Sequence, residues 1–341
     1  MPKVGFSRAL ARLLLAMLLV GAATGTTIAH AAPLPVTCQA LTLPVTLTGT
    51  PDPQAVAGKL CAQGNPAGKP LLILVSGATY GSAYWDLTPA LSVVQAEAKA
   101  GFSVLTYDRL GIGQSTKPAS SLLTVQSDAD VLHQLVQAAR AGRLGQTVFA
   151  TILTVGHSLG SGIVLTEAAT AQDVQGVVVT GFAHYFDPTG GASFQGALWP
   201  AQSEPRADLQ ATPPGYFTTQ PGKRSIFYYN GDATVIATDE ATKQTVTDGE
   251  LNSFASVVTD GGATSQQIRV PVLGLVGDHE PFFCSAVGCP EAASEGQYYS
   301  PAATFQIQVI KNTGHDLATQ ASSPQTSAII SGWAWTVVRT P

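Results

Sequence analysis

Short apolar runs alternate with amphipathic segments along most of this chain. The apolar runs are rich in Val, Leu and Ile and predict strands buried on both faces at 71–75, 102–107, 151–155, 174–180, 270–276 and 304–310. The amphipathic segments predict helices over about 88–100, 124–141 and 323–338. Leu41–Thr48 alternates apolar and polar residues, so it predicts an early antiparallel strand, which Pro44 places at an edge. The pattern is that of an α/β fold, with a mostly parallel central sheet and helices on both faces.

One region interrupts this alternation. From about residue 184 to 267 no regular succession of strands and helices is visible, and the stretch is rich in Pro and Gly. It also carries many aromatic residues, which disordered segments lack. The region therefore predicts a cap or lid insertion that covers the carboxyl ends of the strands, where ligands bind in such sheets.

The first 31 residues have the pattern of a secretory signal peptide. Lys3, Arg8 and Arg12 precede an apolar run at 13–20, and Ala29-His30-Ala31 supplies a cleavage site before Ala32. The apolar run is short for a membrane span, and no other stretch is long enough for stable membrane insertion. We therefore expect a secreted protein in which residues 32–341 form a single domain carrying the insertion.

Composition narrows the range of partners. Charged residues make up 11% of the chain and the net charge is −5, which argues against binding to nucleic acid or to an anionic membrane.

Four cysteines behind a secretory signal predict two disulfides. Three pairings are open, of which Cys38–Cys61 and Cys284–Cys289 are favoured. A zinc site is the weaker alternative, because the chain has no tight C-x-x-C pair.

The candidate chemistry begins at Gly156-His157-Ser158-Leu159-Gly160. This G-x-S-x-G pattern follows a buried strand and precedes a segment of small residues that opens a helix. Strand, sharp turn and helix are the setting of a nucleophilic serine, and they single out Ser158. A serine hydroxyl needs a base, usually a histidine oriented by a carboxylate. His315, directly after the last strand, is the candidate base, and the loop after the preceding strand offers Asp278 and Glu280 as acids.

A second motif identifies the family that the sequence resembles. Asp108-Arg109-Leu110-Gly111-Ile112-Gly113-Gln114-Ser115 is similar to a D-x-x-G-x-G-x-S loop of the α/β-hydrolase superfamily, and the elbow, the acid loop and His315 follow in that family's order. The chain thus resembles a secreted esterase or lipase of this superfamily. The family's acid stands three residues after a strand-terminal glycine and often precedes proline, which favours Glu280. The family more often has Asp there, so Asp278 stays open, with Asp187 a more distant alternative.

The resemblance also implies an oxyanion hole made by two backbone N–H groups. One belongs to Leu159, and the other is assigned to Ala78, with Thr79 behind it. The loop that usually reads His-Gly in the family reads Ser76-Gly77 here. A backbone donor tolerates that change of side chain.

These features predict a serine hydrolase that cleaves a small-molecule carboxylic ester, with an apolar or aromatic group, through an acyl-enzyme. No cofactor or metal is expected for the reaction. Lactonase, peptidase and perhydrolase activities use the same residues and stay open, as does a non-catalytic binding protein on the same scaffold. Serine at the elbow disfavours dehalogenase and epoxide hydrolase chemistry, for which this fold uses Asp. The sequence does not predict an oligomeric state.

Overall fold

The computed structural model describes residues 34–340, so the predicted signal peptide and its cleavage site lie outside the described residues. Two sheets contain the strands β1 (Val36–Val45), β2 (Gln54–Gln63), β3 (Leu71–Val75), β4 (Ser103–Tyr107), β5 (Ile152–His157), β6 (Gly176–Thr180), β7 (Leu198–Pro200), β8 (Tyr216–Thr219), β9 (Val246–Thr247), β10 (Val272–Gly277) and β11 (Gln306–Ile310). The helices are α1 (Val93–Lys99), α2 (Val125–Arg140), α3 (Leu159–Thr170), α4 (Pro188–Ala197), α5 (Ala207–Gln210), α6 (Ala233–Thr242), α7 (Asp248–Thr259) and α8 (Ser323–Arg339).

The large sheet has eight strands in the order β1-β2-β4-β3-β5-β6-β10-β11. Strand β2 pairs antiparallel with both of its neighbours, and the pairs from β4 to β11 are parallel. Every residue of β3, β4, β5, β6 and β10 is buried, as their apolar sequences require when helices cover both faces. The prediction of a fully buried strand at 304–310 is wrong, because β11 lies at the sheet edge and most of its residues are exposed. The α/β-hydrolase architecture expected from the sequence is therefore confirmed.

The helices follow the predicted positions with one correction. Helix α2 begins where Thr124 and Ser127 form a capping box, in agreement with the amphipathic pattern over 124–141. The helix predicted over 88–100 is wrong in its first part, because α1 starts only at Val93. Ser92 caps α1 by accepting a hydrogen bond from the Gln95 N–H at 2.9 Å, and the preceding residues form a short 3-10 turn headed by Pro89.

The antiparallel strand β2 has no counterpart in the sequence prediction. Its partner β1 lies at the sheet edge, as Pro44 indicates, and the register of the pair places Cys38 directly opposite Cys61. The structure joins these two cysteines, and it joins Cys284 to Cys289 in the loop after β10. The first bond ties the N-terminal strand to β2, and the second closes a short loop a few residues beyond Glu280.

Between β6 and β10 the chain leaves the large sheet. This segment contains helices α4 to α7 and the second sheet, in which β7, β8 and β9 pair antiparallel. Buried ion pairs join parts of it, including Arg224 with Asp239 at 2.7 Å and Lys243 with Glu204 at 3.0 Å. Among residues 34–340, no helix is long and apolar enough to cross a bilayer.

Candidate active site

Ser158 sits at the sharp turn between β5 and α3. Its backbone has φ 53° and ψ −118°, a conformation that L-residues rarely adopt. A Cβ on Gly156 would lie 2.3 Å from the Gly160 carbonyl oxygen, and a Cβ on Gly160 would lie 2.3 Å from that of Val75. The two glycines of the motif are therefore required because strand and helix approach too closely for any side chain. The turn exposes Ser158 to the cavity above the sheet.

His315 and Glu280 come from the ends of neighbouring strands β11 and β10. The His315 Nδ1 lies 2.8 Å from Glu280 Oε2 and 3.0 Å from Oε1, and both side chains are buried. Burial alone would lower the pKa of His315, but the Glu280 carboxylate outweighs it and the pKa is raised above its usual value. The arrangement holds the imidazole in one orientation and stabilises its protonated form.

The other candidate acids point elsewhere. Asp278 pairs with the His279 ring at 2.8 Å and accepts from the Thr313 N–H at 3.2 Å. Asp187 caps α4 by accepting from the Gly190 N–H at 2.8 Å. Of the three acids considered from the sequence, the structure thus brings Glu280 to His315.

A buried polar network lies behind His315, and no sequence pattern predicts it. Asp316 is within 3.2 Å of His157 Nε2 and accepts a hydrogen bond from the Tyr80 hydroxyl. Burial lowers the pKa of His157 to about 4, so this ring is neutral near pH 7. It stacks on Tyr84 with centroids 4.3 Å apart. His157 therefore supports the elbow from beneath and points away from the cavity.

The loop after β3 approaches the elbow closely. A Cβ on Gly77 would lie 3.0 Å from Ser158 Cβ, which explains glycine at that position. The Gly77 carbonyl accepts a hydrogen bond from Arg109 Nη2 at 3.0 Å. Because C=O and N–H point in opposite directions across a trans peptide, the Ala78 N–H is directed away from Arg109. Ala78 lines the same cavity as Ser158, and Leu159 N–H opens the first turn of α3. Both predicted oxyanion donors thus flank Ser158.

Thr79, the next residue of this loop, has φ 62°, which is unfavourable for a β-branched side chain. The insertion holds it there. Arg224 Nη1 donates to Thr79 Oγ1 at 2.7 Å, and the Gln244 N–H donates to the Thr79 carbonyl at 2.8 Å. Asp239 fixes the same guanidinium through two hydrogen bonds of 2.9 and 2.7 Å.

Arg109 also connects the loop after β3, which carries Ala78, to the insertion. Its guanidinium is buried, lies 3.7 Å from Asp128 on α2, and forms an ion pair with Glu250 on α7. The loop that carries Ala78 is therefore fixed by side chains from the insertion as well as by the sheet. In the sequence, Arg109 stands out only as part of the 108–115 motif, and Arg224 and Asp239 do not stand out at all, because nothing in the spacing of the three residues links them.

The cavity above Ser158 is small and apolar, with a volume of about 200 Å³. Among residues 34–340, no Asp, Glu, Lys or Arg contributes to its lining. Aromatic side chains dominate the walls, and they are Phe186, Phe194, Phe227, Phe254, Phe282 and Phe283. Most come from the insertion, and Phe282 packs edge-on against the His315 ring at 4.8 Å.

A second serine–histidine–carboxylate arrangement lies at the base of the insertion. His184 Nε2 is 3.0 Å from Ser265 Oγ, and its Nδ1 is 2.6 Å from Glu295 Oε1. Ser265 is fully buried and does not line the cavity. This arrangement connects the two ends of the insertion to the loop after β10, so its role is structural.

Three groups of side chains in the described part of the chain have the donor types of a metal site. His157, His315 and Asp316 form one, but hydrogen bonds already engage them in the network beside Ser158. Cys284 and Cys289 form another with a nearby glutamate, and they are joined in a disulfide. The third group lies on α2 and α3, away from the cavity lining.

Comparison with known proteins agrees with this architecture. A sequence profile described as the alpha/beta hydrolase family matches residues 72–327. The structure is similar to an esterase from Thermogutta terrifontis, with a TM-score of 0.57 and 18% identity over 87% of this chain and 99% of that one. It is also similar to a monoacylglycerol lipase from Paleococcus ferrophilus, with a TM-score of 0.58 and 17% identity over 83% and 99% of the two chains. A comparison with curated proteins finds no match.

Proposed function

Because the chain belongs to the alpha/beta hydrolase family, we propose that it is a serine hydrolase that cleaves a carboxylic ester with an apolar or aromatic group. One observation carries the proposal. His315, whose Nδ1 lies 2.8 Å from Glu280 Oε2, lines the same cavity as a serine held in a strained elbow conformation. Strain of this kind costs on the order of 1–3 kcal/mol and is found mainly at functional sites.

In the proposed mechanism, Ser158 attacks the ester carbonyl while His315 Nε2 takes its proton. Glu280 keeps the proton on His315 Nδ1 and stabilises the imidazolium that forms. The Ala78 and Leu159 N–H groups stabilise the oxyanion, and each such donor is typically worth about 3 kcal/mol in the barrier. His315 then protonates the leaving alcohol and activates the water that releases the acyl group.

The cavity supports a neutral, compact substrate. At about 200 Å³ it is smaller than the sites of roughly 300–1,000 Å³ that hold drug-sized ligands. Phenylalanine side chains provide the binding energy by removing apolar surface from water. A short branched acyl group or a single aromatic ring fits these walls, whereas a charged group would lose its hydration without gaining a counter-ion.

We further propose that the protein is exported and cleaved before Ala32. Two features of the described chain support an extracellular location. The four cysteines form two disulfide pairs, which persist in oxidising compartments, and no cysteine in residues 34–340 is left free. N-terminal sequencing of secreted protein would test the cleavage site, and a mature protein that begins before residue 32 would contradict it.

Labelling with a fluorophosphonate tests the nucleophile. Wild-type protein should be labelled once and Ser158→Ala should not be labelled. Ser265→Ala is the matched control, since Ser265 also contacts a histidine paired with a carboxylate. That variant should still be labelled. No labelling of folded wild-type protein would favour a non-catalytic binding protein, and labelling that depends on Ser265 would contradict the assignment.

Ester chain length tests the substrate. We expect p-nitrophenyl acetate, butyrate and benzoate to be hydrolysed faster than the octanoate. Phe254→Ala, which enlarges the cavity without removing a group that touches His315, should shift the preference toward longer chains. A wild-type preference for octanoate would contradict the small apolar site.

A further inference from the structure

Four buried polar atoms near the C-terminal end of α3 lack hydrogen-bond partners within residues 34–340. They are both carboxylate oxygens of Glu167, the Nδ1 of His133 and one carboxylate oxygen of Asp173. The Glu167 side chain is fully buried. Buried polar groups in native proteins nearly always have partners, so a convergence of four unpaired atoms requires an explanation.

These atoms border one small space between α2 and the C-terminal end of α3. His133 Nδ1 lies 3.1 Å from Asp173 Oδ2 and 3.9 Å from Glu167 Oε1, and one ligand atom from each residue lies within 4.8 Å of the others. His133 nevertheless forms a hydrogen bond with neither carboxylate. Its Nδ1 lies within 4 Å of an oxygen of each carboxylate, and Asp173 Oδ2 also accepts a hydrogen bond from Gln137 Nε2 at 2.5 Å.

We propose that His133, Glu167 and Asp173 bind a divalent transition-metal cation, with Zn²⁺ the best match. Two ligands of a tetrahedral zinc ion at bond lengths near 2.1 Å are about 3.4 Å apart, and the observed contacts of 3.1 and 3.9 Å bracket that value. One imidazole and two carboxylates suit Zn²⁺ better than Ca²⁺, which prefers oxygen ligands alone. Water would complete the coordination, because the His133 side chain is 41% exposed.

The surrounding charges favour a cation at this point. The site lies at the C-terminal turn of α3, where the helix dipole is negative. Arg140 is a neighbouring cationic side chain, and its guanidinium hydrogen-bonds to the carbonyl oxygens of Ala150 and Asp173 rather than to the three proposed ligand side chains. Without a cation, two acidic side chains would face each other in a poorly hydrated space, which disfavours the ionisation of both.

A bound ion would connect α2 to α3, the helix that begins at the Ser158 elbow. Its role would be to stabilise the fold, so it does not depend on the proposed ester hydrolysis. The site was not anticipated from the sequence, where His133 reads as an ordinary helix residue and no metal is expected for the reaction. Spacing alone does not reveal the site, because its ligands come from two helices and the loop that follows α3.

Zinc binding to chelator-treated, full-length mature protein tests the proposal by isothermal titration calorimetry and thermal unfolding. Wild-type protein should bind one Zn²⁺. Its Tm should rise by roughly 5 °C when free Zn²⁺ exceeds Kd a hundredfold. His133→Ala, Asp173→Asn and Glu167→Gln should each weaken binding at least tenfold. Glu167→Gln should fold as stably as wild type without metal, since it removes an unpaired carboxylate.

Two control variants separate this site from other histidines. His279→Ala removes a partly exposed histidine that also pairs with a carboxylate, and His315→Ala removes the histidine beside Ser158. Both should still bind one Zn²⁺ with unchanged affinity. Absence of binding to wild type at millimolar Zn²⁺ would overturn the proposal. So would binding that survives in His133→Ala or disappears in His315→Ala.

Discussion

Glu280→Gln is the most informative single change, because it removes one charge and keeps the shape of the side chain. Glu280 Oε2 lies 2.8 Å from His315 Nδ1. At an effective dielectric constant of about 20, a carboxylate and an imidazolium at that separation attract by roughly 6 kcal/mol. His315 is neutral before Ser158 attacks the ester and charged once it has taken the serine proton, so this attraction acts mainly in the transition state. We therefore expect kcat to fall by about 10³ to 10⁴.

The assay is hydrolysis of p-nitrophenyl butyrate, with Asp278→Asn as the matched control. Asp278 belongs to the same loop but pairs with His279, so its variant should keep kcat within about threefold.

The pH profile of kcat/KM gives a second readout. His315 must be neutral to act as a base, and its raised pKa places the acidic limb of kcat/KM above pH 6.5. Glu280→Gln should move that acidic limb to lower pH, because burial then has the larger effect on the pKa of His315 and lowers it. Equal losses in the two variants, or an unmoved limb, would refute the assignment of the acid.

Three further predictions concern the groups around Ser158 and the edge of the sheet. Thr79→Val keeps the branched side chain at φ 62° but removes the Oγ1 that accepts from Arg224 Nη1, while Asp239 still holds the rest of the guanidinium. We expect kcat to fall by ten- to a hundredfold with KM little changed, and an unaltered kcat would contradict a positioning role. The pKa of His157 is lowered to about 4, so this residue stays neutral in the folded protein while it takes up a proton below pH 6.5 in the unfolded chain. The free energy of unfolding should therefore drop by about 3 kcal/mol between pH 7 and pH 4. Urea unfolding at both pH values measures the drop, and a smaller drop in His157→Gln would assign it to this residue. Replacing Cys38 and Cys61 together by serine should cost about 3 kcal/mol of unfolding free energy while activity at 25 °C stays near wild type, and an unchanged denaturation midpoint would contradict that bond.

Much of the central sheet could be predicted because its strands are continuous apolar runs. Outside residues 184–267, the strands and helices predicted after residue 100 lie within a few residues of the observed ones, as α2 and α8 illustrate, whereas helices α4 to α7 and strands β7 to β9 had no predicted counterpart. Strand β2 escaped prediction because it is antiparallel and contains Gly58 and Lys59, so it lacks an apolar run. Its packing comes from pairing with β1 and β4, which is a non-local property.

The candidate site likewise has residues that the sequence predicts and residues that it does not. Ser158, His315 and Glu280 each follow a strand, and a parallel sheet brings such positions to one edge. The residues that hold the Ala78 loop could not be found by that rule. Arg224 contacts Thr79 across 145 positions of sequence, and this contact exists only once the insertion has folded over the sheet. Ser265 has the contacts of a nucleophile, but it is fully buried and lies outside the strained elbow and the cavity lining.

The buried charges that join the insertion to the Ala78 loop determine how the protein should respond to esters in different physical states. A lid that swings open at an oil–water boundary would have to separate Arg109 from Glu250 and Arg224 from Thr79. Breaking a buried ion pair costs on the order of 3–5 kcal/mol, which adsorption to a droplet would have to supply. We therefore expect the rate to follow the concentration of dissolved ester, with no jump when micelles or emulsion droplets form.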